Sequence, residues 1–126
     1  MSRKIEQKFT NNTVSIIGVS VKEGQQLTGV EQSPQLFRNS GLPQAINQLG
    51  WKIHDNGDIT KEAIHEEIEK ELACDADYKY VLPNIEILGV MNKHLHDQAH
   101  QRSANKDFVL TLGGDHGLAT GSISGM

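Results

Sequence analysis

Two patterns of apolar positions alternate along the chain. Short β-branched runs predict buried strands at Thr13–Val21 (TVSIIGVSV) and at Asp107–Leu112. Between them, apolar positions three and four residues apart predict a long helix that begins at Pro83 and ends near Asn105. Its apolar face comprises Ile87, Leu88, Met91, Leu95 and Ala99.

The first strand is followed by a long polar loop, from Lys22 to Pro34, and then by a second apolar segment. Ser33 is predicted to cap a helix that has Pro34 in its first turn. The sequence Gly41-Leu42-Pro43 is predicted to break this helix in two. The residues predicted to form its intermittent apolar stripe are Leu36, Phe37, Ile46 and Leu49.

Two further elements complete the alternation. Trp51–Ile53 predicts a second strand, which the turn signal Asp55–Asp58 (DNGD) is expected to close. Lys61–Leu72 predicts an exposed, glutamate-rich helix with one apolar edge. The order of strands and helices favours an α/β fold with a mostly parallel sheet flanked by helices.

In such sheets, ligands bind beyond the carboxyl ends of the strands. The segment FVLTLGGDH places Asp115 and His116 there, directly after the last predicted strand. A neutral imidazole binds manganese, zinc or iron, and a neighbouring carboxylate can orient the ring. From the motif alone, Asp115 could equally cap the helix that follows.

Composition narrows the classes of function. The chain has 126 residues, 37% hydrophobic content and a formal net charge of -4, so it offers no overall basic character for nucleic acid. One cysteine, Cys74, excludes an internal disulfide and a multi-cysteine zinc site. No apolar run approaches the length of a membrane span. We therefore expect a cytoplasmic protein without membrane or nucleic-acid partners, and leave a mitochondrial location open.

Two segments resemble the arginases, within the ureohydrolase family. They are VSIIGVSVKEGQQLTGVEQSPQLFRNSGL (residues 14–42) and VLTLGGDHGLATGSISG (residues 109–125). The resemblance implies a three-layer α/β/α fold, of which residues 1–126 would be the N-terminal part of one domain. Residues 1–12 are expected to form a flexible tail.

The resemblance also implies an activity, the Mn²⁺-dependent hydrolysis of L-arginine to L-ornithine and urea. The family uses two Mn²⁺ ions, and its members are often trimers or hexamers. By resemblance, His116 is the histidine that ligates one manganese, and Asp115 is a supporting neighbour outside the ligand set. Gly117 stands where the family usually has serine, which we expect to perturb the start of the next helix.

The family's other manganese ligands come from two aspartate-rich blocks downstream, and neither is in this sequence. The 126-residue chain is therefore expected to be inactive alone, as the N-terminal part of an arginase. Two alternatives stay open: another ureohydrolase, such as an agmatinase, and a non-catalytic chain that associates with full-length arginase.

A second group of histidines lies in HLHDQAH, where His96 and His100 are four residues apart. Such a pair can hold a metal on a helix, but no glutamate follows His96 directly as in zinc proteases. A solvated helix face is the favoured interpretation of this group, and the lone residues His54 and His65 are expected to be surface residues without a function.

Overall fold

A computed structural model describes residues 11–74 and 84–126 of the chain. Three strands and five helices alternate in these ranges. They are β1 (Thr13–Ser20), α1 (Ser33–Asn39), α2 (Leu42–Gln48), β2 (Lys52–Thr60), α3 (His65–Cys74), α4 (Ile85–Ala104), β3 (Phe108–Leu112) and α5 (Ala119–Gly125). One-turn 3-10 helices at Val30–Gln32 and His116–Leu118 lead into α1 and α5.

The strands form one parallel sheet in the order β2-β1-β3. Thr13 of β1 lies opposite Lys52 of β2, and Val14 lies opposite Phe108 of β3. Because β1 is the central strand, it is covered on both faces, which explains why every residue from Val14 to Val19 is buried. The predicted α/β fold with a parallel, helix-flanked sheet is confirmed.

One face of β1 packs against α3 and α4. Ile17, Val19 and Val21 point to this side, as the two-residue period of a strand requires. The other members of this buried cluster are Ile59, Ile64, Ile68, Val90, Met91, Leu95 and Ala99. The apolar face predicted for α4 therefore lies in the larger of the two cores.

The opposite face of the sheet has a thinner cover. Val14, Ile16 and Leu112 are buried there, with Ile46 of α2 packed against them. Three of the four residues of the apolar stripe predicted on α1 and α2 are nevertheless well exposed: Leu36 at 60%, Phe37 at 47% and Leu49 at 77%. Within the described residues, this stripe closes over the sheet only in part.

The predicted turn at Asp55–Asp58 is wrong, because β2 continues through it to Thr60. Ile16 pairs with Asp55, but Gly18 already pairs with Asp58, so β2 has one extra residue and forms a bulge. Gly57, with φ of 75°, adopts the left-handed conformation inside the bulge. A sequence that is typical of a hairpin turn thus forms an irregularity within a strand.

Arg38 of α1 explains why the strand continues. Its guanidinium donates to Asp55 at 2.8 Å and to Asp58 at 2.5 Å. These hydrogen bonds lower the pKa of Asp55, against the opposing effect of burial. Gly18 leaves room for this arrangement, since an added Cβ would lie 1.7 Å from the Asp58 carboxylate. A long-range ion-pair network therefore outweighs the local turn preference.

Several predicted boundaries shift. Ser33 is the first residue of α1 instead of its cap, and Gln32 in the cap position makes no side-chain capping bond. The break between α1 and α2 is confirmed, with Gly41 at φ of 94°. The α3 helix begins at His65, four residues later than predicted, because Thr60 Oγ accepts from Ala63 N–H and forms a turn first.

Some predictions fall outside the described residues. These are the tail up to residue 10, the helix start at Pro83 and the side chain of Cys74. Asn11 and Asn12 are described and contact the sheet, since Asn11 donates to Asp107 at 3.0 Å and Asn12 O accepts from Lys52 N. Along the described part of the chain, no helix has the length and apolar character needed to cross a membrane.

Candidate metal-binding site

The candidate site lies at the carboxyl edge of the sheet, where the loops after β1 and β3 meet. Both strands are parallel neighbours, so residues distant in sequence are brought together. The backbone N–H of Gly24 donates to Asp115 Oδ2 at 2.6 Å across this gap. The two segments that carry the sequence resemblance are therefore in direct contact.

Asp115 is the central residue of this contact. Its side chain is only 2% exposed, and its two oxygens accept from two different backbone segments. Oδ2 binds Gly24 N–H, while Oδ1 accepts from Gly117 N–H at 2.8 Å and caps the 3-10 helix His116–Leu118. Hydrogen bonds to an ionised acceptor are the stronger kind, so this carboxylate fixes the loop and the helix start together.

The glycines of the site lie where neighbouring atoms come too close to the backbone for a side chain to fit. An added Cβ at Gly24 would lie 2.3 Å from Asp115 Oδ1, and one at Gly114 would lie 2.6 Å from the Cβ of Val30. At Gly113, an added Cβ would lie 2.3 Å from the Leu118 side chain. Each distance is too short for a real side chain. The absence of side chains here allows the two loops to pack against each other.

His116 directly follows the buried aspartate and is exposed. No hydrogen bond of its ring is recorded within residues 11–74 and 84–126, and its backbone begins the 3-10 helix that Asp115 caps. The imidazole is therefore positioned through its backbone and available at the edge of the sheet. In these same ranges, no three or more His, Cys, Asp or Glu side chains form a group that could hold a metal ion. The described residues supply one candidate ligand and no complete site.

The start of α5 is held on its other side by α4. Gly121 N–H donates to Asn92 Oδ1 at 2.7 Å, and an added Cβ at Gly121 would lie 2.5 Å from Asn92 O. Thr111 and Ser122 join β3 to α5 through their hydroxyl groups at 2.9 Å. The run of small residues after His116 therefore serves close packing, and it fixes the segment that carries this histidine.

The loop after β1 has a second attachment, which the sequence did not reveal. Lys61 Nζ contacts Glu23 Oε1 at 2.9 Å, next to Gly24. Partial burial tends to raise the pKa of Glu23, but hydrogen bonds from Lys61 and from the backbone of Lys22 have the larger combined effect. The pKa of Glu23 is therefore below its ordinary value. No local pattern marks Lys61, Gly24 or Asn92 as partners of the site, because their contacts are long-range.

The histidines of α4 do not form one solvated face. His100 is exposed as expected, but His94 and His96 are half-buried and contact neighbouring helices. His94 Nε2 lies 2.9 Å from Glu67 Oε1 of α3 but makes no hydrogen bond within the described residues.

The combination of a parallel three-stranded sheet, flanking helices and a glycine-rich edge carrying Asp115 and His116 defines an α/β protein with a candidate metal site. A family model described as the Arginase family matches residues 12–126. This chain therefore belongs to the arginase family.

Individual relatives agree with the family match. The arginase of Plasmodium berghei (strain Anka) is 30% identical to this chain, over 94% of this chain and 36% of its own length. The mitochondrial arginase-2 of Homo sapiens is 31% identical, over 94% of this chain and 31% of its own length. The chain thus spans about a third of the length of the curated relatives it matches.

The fold of this chain is also similar to solved structures of arginases. The crystal structure of arginase from Bacillus subtilis matches with a TM-score of 0.70 and 26% identity, over 90% of this chain and 33% of that one. An arginase from Bacillus cereus matches with a TM-score of 0.69 and the same identity. The predicted family and its α/β fold are confirmed.

Proposed function

We propose that this chain contributes to the Mn²⁺-dependent hydrolysis of L-arginine to L-ornithine and urea, with His116 as a ligand of one manganese ion. One observation carries the proposal. His116 is exposed at the carboxyl edge of the sheet, while its neighbour Asp115 is buried and holds both adjoining backbone segments. Imidazole is a suitable ligand for such an ion, and the family match supports manganese as the choice.

Asp115 is proposed to act as a positioning residue. Both of its oxygens already accept backbone N–H groups at 2.6 and 2.8 Å, which leaves the carboxylate poorly placed to bind a metal as well. Its contribution is to hold the backbone from which His116 projects. This arrangement supports a role beside the ligand set, where residues orient the groups that bind the ion.

The chain by itself is proposed to be inactive. A pair of metal ions supplies the lowered pKa and the orientation of the attacking water, and one histidine cannot hold such a pair. The other ligands would have to come from residues outside the described ranges or from another polypeptide. We expect no urea above a metal-only blank when the 126-residue chain is incubated with Mn²⁺ and L-arginine.

A chimera gives a sharper test. Residues 12–126 would replace the matching third of Bacillus subtilis arginase, and urea release from L-arginine would be measured with Mn²⁺. We expect urea production that His116→Ala reduces about a hundredfold or more, because loss of a direct ligand should cost at least as much as loss of an outer-shell partner. His54→Ala is the matched control, since His54 is also exposed but lies on β2.

The same chimera separates the proposal from its alternatives. Faster hydrolysis of agmatine than of L-arginine would favour an agmatinase-like function for this segment. A chimera that has the parent's circular dichroism spectrum but hydrolyses neither compound would contradict the proposal. Equal activity of His116→Ala and His54→Ala would remove His116 from the ligand set.

Cytoplasmic residence and assembly into homo-oligomers belong to the same proposal. The family match supports assembly, because family members are often trimers or hexamers, whereas three matching relatives are named as mitochondrial. Subcellular fractionation followed by sedimentation velocity would test both points. A monomer in the mitochondrial fraction would contradict them.

A further inference from the structure

A second pair of functional groups lies away from the strand-end site, on α4. His96 and His100 are four residues apart, so they share one side of the helix. Their ring centroids are 6.1 Å apart and their planes differ by only 2°. The pair lies beside α5, because Ser124 of α5 contacts His96.

Ser124 contacts the His96 ring and couples its tautomer to the hydrogen bonds of α5. Ser124 Oγ donates its hydrogen to Gly121 O at 3.3 Å. In this arrangement its oxygen accepts from His96 Nδ1 at 2.9 Å, and the proton of the neutral ring lies on Nδ1; in the other tautomer of His96, Ser124 donates to Nδ1 instead. In the Nδ1–H tautomer, Nε2 of His96 has a free lone pair, as a metal ligand requires.

We propose that His96 and His100 bind a late first-row divalent ion, such as Zn²⁺, Ni²⁺ or Cu²⁺, with Ser124 orienting the first ring. Imidazole suits these ions, and the affinity order of divalent metals places all of them above Mn²⁺. The site is therefore chemically distinct from the proposed manganese site at His116. Water would fill the remaining coordination positions.

Before His96 and His100 can bind one metal ion, the distance between their rings has to decrease. Zinc–nitrogen bonds of about 2.0–2.1 Å require the two ring nitrogens to approach within about 4 Å of each other. The rings come closer when His100 turns about its terminal torsion, which has a broad energy profile. His100 is exposed, and its only recorded side-chain contact within the described ranges is with the ring of His96. His96 is already oriented, so only one side chain has to move.

The test is calorimetric titration of the full 126-residue chain with Zn²⁺, in a Cys74→Ser background that removes the thiol. We expect His96→Ala and His100→Ala each to weaken one Zn²⁺ site by more than tenfold. Ser124→Ala should weaken it by about tenfold, as loss of an outer-shell partner does, and Ser124→Thr should restore it. His94→Ala and His116→Ala are the controls and should leave this site unchanged.

Two results would overturn the proposal. One is an unchanged Zn²⁺ isotherm in His100→Ala, with a circular dichroism spectrum equal to that of the parent. The other is loss of the site in His94→Ala or His116→Ala alone. Nitrogen-15 NMR of the imidazole rings provides a second readout. We expect His96 in the Nδ1–H form without metal, and an Nε2–H form would contradict the assigned role of Ser124.

Discussion

Two buried aspartates lie at opposite ends of β3 and stabilise the fold in different ways. Asp107 precedes the strand and is 3% exposed; Asp115 follows it and is 2% exposed. The Asp107 carboxylate accepts from three side chains: Asn11 at 3.0 Å, Ser15 at 2.9 Å and Asn105 at 3.2 Å. The Asp115 carboxylate instead accepts from backbone N–H groups.

The difference shows how a carboxylate can fix a backbone path. A side-chain donor can change rotamer and still reach its acceptor, so the cluster around Asp107 tolerates small shifts. The donors to Asp115, Gly24 and Gly117, have no side chains, and their N–H groups point where the backbone directs them. Asp115 therefore determines the shape of the candidate site, whereas Asp107 fastens the start of β3 to β1.

Of the substitutions that test this difference, Asp115→Ala is expected to lower the free energy of unfolding most. Each hydrogen bond to a charged group contributes about 1.5–3 kcal/mol, so loss of both should lower the free energy of unfolding by about 3 kcal/mol or more. Urea denaturation of the chain measures this change. His116→Ala is the control, because an exposed side chain without such bonds should alter stability by about 0.5 kcal/mol or less. Equal losses in the two variants would show that Asp115 does not hold the loop.

A smaller effect is expected from Gly24→Ala. The new Cβ would lie 2.3 Å from Asp115 Oδ1, which forces the loop away from the carboxylate. Overpacking of this kind costs about 1–3 kcal/mol. Gly89→Ala in α4 is the matched control, since nothing lies within 4 Å of its added Cβ. Alanine is the better helix former, so this control should gain about 0.5–1 kcal/mol, and a loss in both variants would contradict the clash.

The smallest effect is expected from Asp107→Asn, and it should depend on pH. Burial tends to raise the pKa of Asp107, but the hydrogen bonds from Asn11, Ser15 and Asn105 have the larger combined effect. The pKa of Asp107 is therefore below its ordinary value. A carboxyl group with a lowered folded-state pKa stabilises the fold above its unfolded pKa of about 3.9, and this contribution is lost as pH falls through the folded value. Asp107→Asn should therefore cost about 1–2 kcal/mol at pH 7 and progressively less below about pH 4.

Denaturation curves at pH 7 and at acidic pH measure this dependence. Ser15→Ala keeps the carboxylate and removes one donor, so it should cost about 1 kcal/mol at pH 7. Combined with Asp107→Asn, its cost should fall, because the two residues share one hydrogen bond. A pH-independent cost of Asp107→Asn would contradict the role of the charge at the amino end of β3.

Much of the architecture follows from local pattern. The β-branched run of β1 and the three- and four-residue spacing in α4 determine strand and helix, since these periods decide which side chains share a face. The prediction that Asp115 and His116 of the GGDH motif lie beyond the end of a strand is confirmed. The turn at Asp55–Asp58 was wrong because Arg38, which lies on another element, holds both aspartates.

The sequence by itself determined the order of strands and helices, the burial of β1, and a histidine beyond the end of the last strand. Only the tertiary structure decided that Asp115 binds Gly24, 91 residues earlier, and that Ser124 contacts the ring of His96. The physical reason is the range of the interactions. Periodicity and backbone preference act over a few residues, whereas a buried carboxylate is satisfied by whichever donors the folded chain brings to it.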